Sequence, residues 1–364
     1  MSLFGSKKQE ESYLGIDISS DSIKLVELKN VMGKSQLVTY GYSVTKAEQF
    51  KGNLVSNPAV ASVLLREVWE KSGCTTKTVI AALPTSKCFN YVLKITSILK
   101  KDLMNSAKVK DILTKQAEKI LPLPPSQMQF DYTIVNLESY QNLKDEDEIR
   151  DVKFLITAAG TDIVKEYTEV FAKAGLELLS LDIESFAMIR SLVGNDKSLV
   201  MTVDFGDKAT NMSMIESGVP VLNRSVEVGG STITQALADL MHITTQQAEQ
   251  YKVDLPILMQ QQQLTAMPKP IADAITPVIN EIKFLIQTYY QQVDKSKKLD
   301  RIILTGGGAL LAGLRAHVEA QTDTRTYIAD PWSRVIYPTE LEKILKELGP
   351  RYSIALGLAM TKIR

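Results

Sequence analysis

Cysteine is nearly absent from this 364-residue chain: Cys74 and Cys88 are the only 2, too few for a disulfide framework, and they point to a reducing interior. Histidine is as scarce. His242 and His317 have no Cys or His neighbour at metal-ligand spacing, which argues against a zinc site. Charge of one sign is lacking as well, since Lys plus Arg and Asp plus Glu both count 42, so no net field recruits nucleic acid or an anionic membrane. No run of about 18 apolar residues could span a bilayer, and the opening M-S-L-F-G-S-K-K-Q-E-E-S lacks the apolar stretch of a secretory signal. Residues 1–12 are therefore expected to be a flexible tail on a cytoplasmic protein.

What is present is apolar content of 45%, enough for two lobes with separate cores. The chain is organised around residues 14–28, L-G-I-D-I-S-S-D-S-I-K-L-V-E-L. An apolar run opens into a polar turn with Asp17, Ser19, Ser20, Asp21 and Ser22, and returns as the alternation Ile23, Leu25, Val26, Leu28, the outline of a β-hairpin. A turn of small hydroxyl residues lays backbone N–H groups and hydroxyls around an anion, and a carboxylate at its mouth suits a hydrated Mg²⁺. Lys24 supplies the compensating positive charge. Alone, such a turn is ordinary; residues 203–215, V-D-F-G-D-K-A-T-N-M-S-M-I, repeat the pattern, and residues 304–314, L-T-G-G-G-A-L-L-A-G-L, complete an ordered triplet.

The order D-x-S-S-x-x-x-K, D-x-G-D-x-x-T, T-G-G-G resembles the two phosphate loops and the adenosine loop of the actin and sugar-kinase ATPase superfamily. Within it, G-I-D-I-S-S-D-S-I-K-L-V-E-L is similar to the opening of the PilM family of actin-like type IV pilus assembly proteins, with FtsA as a close cousin, and the resemblance runs from residue 13 to about residue 361. It implies an α/β, actin-like ATPase fold, RNase H-like and duplicated in two lobes, with an FtsA-type α+β subdomain inserted in lobe one. The boundaries read as residues 13–200 for lobe one, the insertion at about 85–180, and residues 201–364 for lobe two with a helical subdomain at about 235–299.

The resemblance also implies ATP or ADP with Mg²⁺. Asp17 and Asp204 would meet the metal through waters; Ser19, Ser20, Ser22 and Lys24, with Gly206, Asp207 and Thr210, would surround the phosphates. In A-E-Q-Y-K, Glu249 and Lys252 share a helical face and would contact ribose and adenine, while Gly306, Gly307 and Gly308 let backbone approach the flat base. Glu184, at a helix start, would be the general base or water-orienting group. Ser19 stands where actin-like chains often carry Gly, so at most slow ATPase activity is expected. The implied partner is the short cytoplasmic N-terminal tail of a PilN-type inner-membrane protein, docked in a groove between lobe one and the insertion. Motor ATPases and the platform protein of twitching motility extend the partner set, and the membrane is met only through the partner. A filament-forming cytoskeletal ATPase and a small-molecule kinase remain as alternatives.

The remaining segments fit an alternation of strands and helices. Strands are expected at 36–44, 78–83, 89–95, 129–136, 151–159, 176–181 and 300–305. Helices are expected at 57–72 with Val60, Val63, Leu64 and Val68 on the buried face, at 101–120, 161–174 and 271–292, and from Ser231 to about Met241. The acidic run 144–148 reads as a solvated hairpin tip. The pair Gly229 and Gly230 suits either a phosphate or close strand-to-helix packing. Helices beginning at Glu184 and spanning 352–361 would cross between lobes, and since only residues 362–364 follow, no counterpart of FtsA's C-terminal membrane-targeting helix is expected.

Overall fold

The computed structural model describes residues 11–20, 22–44, 54–135, 137–263 and 266–363. Most of the expected tail, residues 1–10, and Asp21 of the first turn lie outside the described residues. Strands β1 (Ser12–Ile18), β2 (Ser22–Val31), β3 (Lys34–Val44), β4 (Thr78–Leu83), β5 (Cys88–Leu99), β6 (Met128–Ile134), β7 (Glu148–Gly160), β8 (Glu177–Ile183), β9 (Val200–Phe205), β10 (Thr210–Glu216), β11 (Val219–Val226), β12 (Arg301–Thr305) and β13 (Thr326–Ile328) form three sheets. Two are five-stranded, in the orders β3-β2-β1-β4-β8 and β11-β10-β9-β12-β13.

These two sheets repeat one plan. In each, an antiparallel meander of three strands is extended by a strand parallel to the meander's first, β4 on β1 and β12 on β9. That is the duplicated RNase H-like arrangement expected from the sequence. It also explains why β1, β4, β9 and β12 read as continuous apolar runs: parallel strands at a sheet centre are covered on both faces.

By internal contacts the chain forms two compact units, Met1–Ala82 with Glu166–Leu192 and Asp330–Arg364, and Leu83–Lys165 with Val193–Ala329. The contiguous lobes read from the sequence divide the chain differently, with residues 330–364 in the second and the insertion in the first. The last segment joins the first unit because Trp332, Tyr352, Ala355, Leu356 and Ala359 pack with Val26, Leu28 and Leu37 of the first sheet. A fully buried large side chain is worth about 1.5–3 kcal/mol, so Trp332 and Tyr352 alone anchor that segment firmly.

Within this unit, helix Ser353–Ala359 lies directly on β1 and on helix Glu184–Met188. Gly15 and Gly357 permit it: a Cβ on Gly15 would stand 2.0 Å from the Ala355 carbonyl oxygen, and one on Gly357 1.9 Å from that of Ala187. These are the two helices expected from residues 184 and 352 onward. Arg190 adds a clasp, its Nε donating to the Gly357 carbonyl at 2.8 Å while its guanidinium pairs with Asp182.

In the second unit the inserted segment is a three-stranded antiparallel sheet, β5-β7-β6, with helix Ser106–Ile120 on one face through Val109, Leu113, Val152, Phe154 and Ile156. The rest is the second sheet under helices Gly230–Met241, Thr245–Gln261 and Thr276–Gln292.

Three local expectations are corrected. On helix Pro58–Lys71 the buried face is Ala61, Leu65 and Val68, and Val63 is 66% exposed. The 101–120 helix is two, Lys100–Leu103 and Ser106–Ile120, because the Asn105 side chain accepts from Ala107 N and Lys108 N and caps the second. The 271–292 helix also divides, into Lys269–Ala274 and Thr276–Gln292, at Pro277, which has no N–H to continue the ladder.

Candidate functional site

The first turn is built by the β1–β2 ladder. Asp17 stands opposite Lys24 in antiparallel register, and Ser19 N donates to the Ser22 carbonyl at 2.8 Å, so four side chains converge. Lys24 Nζ donates to Ser19 Oγ at 3.1 Å and to Ser22 Oγ at 3.1 Å, and pairs with Asp17 Oδ2 at 3.4 Å. Ser19 Oγ approaches the same Asp17 oxygen at 3.4 Å. The Asp17 side chain is only 5% exposed, and Ser20 is half-buried beside it. An ammonium, two hydroxyls and a turn backbone form the donor set that phosphate takes, with a carboxylate at its edge.

The second turn, between β9 and β10, is closed by Gly206 N donating to the Ala209 carbonyl at 3.0 Å. It is fastened to the glycine pair: Gly230 N donates to the Gly206 carbonyl at 3.0 Å, and Ser231 N and Oγ donate to that of Asp207 at 2.9 and 2.8 Å. The first N–H groups of helix Gly230–Met241 are thus already used, and a Cβ on Gly229 would fall 2.3 Å from the Asp207 carbonyl oxygen. Close packing, not phosphate, is the reason for Gly229 and Gly230, and Gly229 is the cap. Thr210 Oγ1 donates to the Val228 carbonyl at 2.7 Å, so its hydroxyl proton is committed to the turn's shape.

The glycine triplet abuts this turn. Asp204 is in register with Thr305, and Gly306 follows at φ +81° and ψ 174°. A Cβ there would meet Asp204 Oδ1 at 2.4 Å and the Phe205 carbonyl at 2.6 Å; one on Gly308 would meet the Phe205 ring at 2.3 Å, while Gly307 is exposed. The structure therefore brings Asp204, Gly206, Asp207 and Gly306–Gly308 into one neighbourhood of the second unit.

Glu249 and Lys252 lie beside it. Lys252, 12% exposed, donates to the Gly230 carbonyl at 2.9 Å, Thr234 Oγ1 at 2.7 Å and Glu249 Oε2 at 2.7 Å, which uses all three ammonium protons. Lys252 is a staple that aims Glu249, whose side chain is 56% exposed. Thr234 at the centre of this knot is silent in the sequence; a threonine four residues into a helix signals only backbone bonding.

Glu184 begins its helix as expected and is buried, at 9% exposure. Among the described residues no group of three or more His, Cys, Asp or Glu could hold a metal ion, so a magnesium ion would rest on at most two carboxylates, with phosphate oxygens and water. With that proviso the Lys24 and hydroxyl donor set suits the phosphates of an Mg²⁺-nucleotide, while Gly306 is required by its packing against Asp204 and Phe205. No helix of the described residues is long and apolar enough to cross a membrane.

The profile of a family described as type IV pilus assembly protein PilM matches residues 15–363. A solved PilM-PilN type IV pilus biogenesis complex contains a chain 19% identical, covering 98% of this chain and 100% of its own length, at a TM-score of 0.80. MreB5 of Spiroplasma citri, solved bound to ADP, is 12% identical over 97% of this chain and 96% of its own at a TM-score of 0.51. The cell division protein FtsA of Enterococcus faecalis is 19% identical over 333 residues, 83% of this chain and 74% of FtsA. The likeness to the solved structures carries the actin-like ATPase fold.

Proposed function

The chain belongs to the type IV pilus assembly protein PilM family, and on that premise we propose that it is an ATP-binding docking scaffold of pilus assembly rather than a metabolic enzyme. The observation that carries the nucleotide half of this reading is the first turn, where Lys24, Ser19 and Ser22 converge on Asp17. Ser19, Ser20, Ser22 and Lys24 hold phosphate, and Gly206, Asp207 and Thr210 shape the turn over it. Glu249, aimed by Lys252, accepts from ribose, and Gly306, Gly307 and Gly308 line the base. Asp17 and Asp204 are the carboxylates for Mg²⁺, which when bound neutralises phosphate charge. Glu184 orients water for hydrolysis that is slow at most.

The docking half rests on family membership and on the fold shared with the PilM-PilN complex. The proposed partner is the cytoplasmic N-terminal tail of a PilN-type inner-membrane protein, which keeps the chain at the membrane; motor ATPases and the platform protein are further candidates. Nucleotide occupancy tunes the docking. The test is fluorescence anisotropy of a labelled synthetic tail peptide titrated with the full chain, with and without Mg²⁺-ATP. Affinity of about 1–100 μM, shifted by nucleotide, is expected for a short tail, about −5 to −8 kcal/mol. No binding at millimolar protein would overturn the docking reading, and binding indifferent to nucleotide would overturn the tuning.

A further inference from the structure

The first turn already holds a cation. Lys24 Nζ has three protons and three acceptors, Ser19 Oγ and Ser22 Oγ at 3.1 Å and Asp17 Oδ2 at 3.4 Å, with the Lys24 side chain 17% and the Asp17 side chain 5% exposed. We infer that Lys24 is the resident counter-cation of Asp17, that Mg²⁺ and Lys24 compete for this carboxylate, and that metal joins the site only together with a phosphate that draws the ammonium away. The inference rests on the nucleotide-binding reading above.

Several features support an exchange rather than a fixed pair. A carboxylate this buried is costly without a partner, so with no ligand bound the ammonium belongs there. Its contacts to the two hydroxyls are nevertheless shorter than the one to Asp17, which places Nζ on the side of the phosphate donors. The β1–β2 register fixes the two backbones opposite each other, so only the four-carbon stem is free to move, and that stem is flexible. A divalent ion on the oxygen that Lys24 already occupies would meet strong like-charge repulsion in a partly desolvated turn. Phosphate removes the conflict by offering the ammonium a second anion. A chain so built binds metal-free nucleotide nearly as well as the magnesium complex, and binds magnesium alone not at all.

Calorimetric titration of the full chain separates the cases, using ATP in EDTA, ATP with Mg²⁺, and Mg²⁺ alone, on wild type, Lys24→Met and Lys24→Arg. The wild type should give no heat with Mg²⁺ alone and a ratio of ATP affinities with and without metal below about tenfold. Lys24→Met should lose about 10–100-fold in EDTA, the worth of a charged hydrogen bond, and recover most of it with Mg²⁺; Lys24→Arg should stay near wild type. Loss by the same factor with and without metal would overturn the exchange, leaving Lys24 an ordinary phosphate ligand while nucleotide binding stands. ATP binding by neither wild type nor variants would overturn both the exchange and the reading beneath it. Should Lys24→Met fail to fold, Asp17→Asn serves: it should abolish the metal dependence and raise affinity in EDTA, and an undiminished dependence on Mg²⁺ would overturn the exchange.

Discussion

Gly306→Ala tests how the candidate site is held together. Gly306 sits at φ +81° and ψ 174°, a region that residues with a side chain occupy at a cost of about 1–3 kcal/mol. The added methyl would also stand 2.4 Å from Asp204 Oδ1, 2.6 Å from the Phe205 carbonyl oxygen and 2.9 Å from its carbon, two of them backbone atoms that cannot swing aside. Overpacking of this kind costs about 1–3 kcal/mol more, so the substitution should destabilise by about 2–6 kcal/mol. Gly218→Ala supplies the comparison. It lies in the same unit at φ +77° with nothing within 4 Å of a built Cβ, so it should cost only the backbone strain, about 1–2 kcal/mol. Urea unfolding of both variants measures the difference, and ATP titration of the folded fraction reads whether Asp204 has moved. Gly306→Ala no less stable than Gly218→Ala, with wild-type ATP binding, would refute the packing of the triplet against Asp204.

Further outcomes follow from the same structure. Gly357→Ala should cost about 3 kcal/mol or more, since its Cβ meets the Ala187 carbonyl at 1.9 Å; a thermal melt within 2 °C of wild type would contradict the crossing of the two helices. Asp17→Ala and Asp204→Ala should each weaken Mg²⁺-ATP binding measurably, by less than about tenfold, in calorimetry, and unchanged binding in both would reject the metal assignment. The Asp196 carboxyl is held well below its ordinary 3.8, first by the hydroxyl and N–H of Ser198 and then by Arg301. Its lowered value means stability present above pH 3.8 and lost as pH falls through the lower folded value. With 34% of the side chain exposed, solvent screening holds Asp196→Asn to about 1 kcal/mol at pH 7, and the gap in urea midpoints should close below pH 3.8.

The fold was legible where alternation and buried runs coincide. β1, β2, β9, β10 and β12 lie where residues 14–28, 203–215 and 300–305 placed them, because a strand's period of two leaves little freedom once one face is apolar. Helix breaks fell inside expected helices: Asn105 lies within 101–120, where its side chain accepts from two N–H groups and caps Ser106–Ile120, and Pro277 lies within 271–292, where it opens Thr276–Gln292. Membership of residues 330–364 in the first unit was also hidden, since Trp332 and Tyr352 carry no address for the sheet that buries them. For the site, the motif order set the two turns and the glycine triplet at strand ends. Atomic contacts inside them needed distances: Lys252 is held by Gly230, Thr234 and Glu249, and of the two roles open to the Gly229–Gly230 pair the distances select close packing.

The central claim is that this PilM-family chain binds ATP through the two hairpin turns and the glycine triplet. The most direct measurement is the nucleotide content of the freshly purified full chain, followed by ATP titration of the stripped protein. Nucleotide that co-purifies, or rebinds at micromolar concentration and is weakened by Lys24→Met in EDTA and by Asp204→Ala in Mg²⁺, is the expected result. A chain that purifies empty and takes up no ATP at millimolar concentration, while folded and docking its tail peptide, would contradict it.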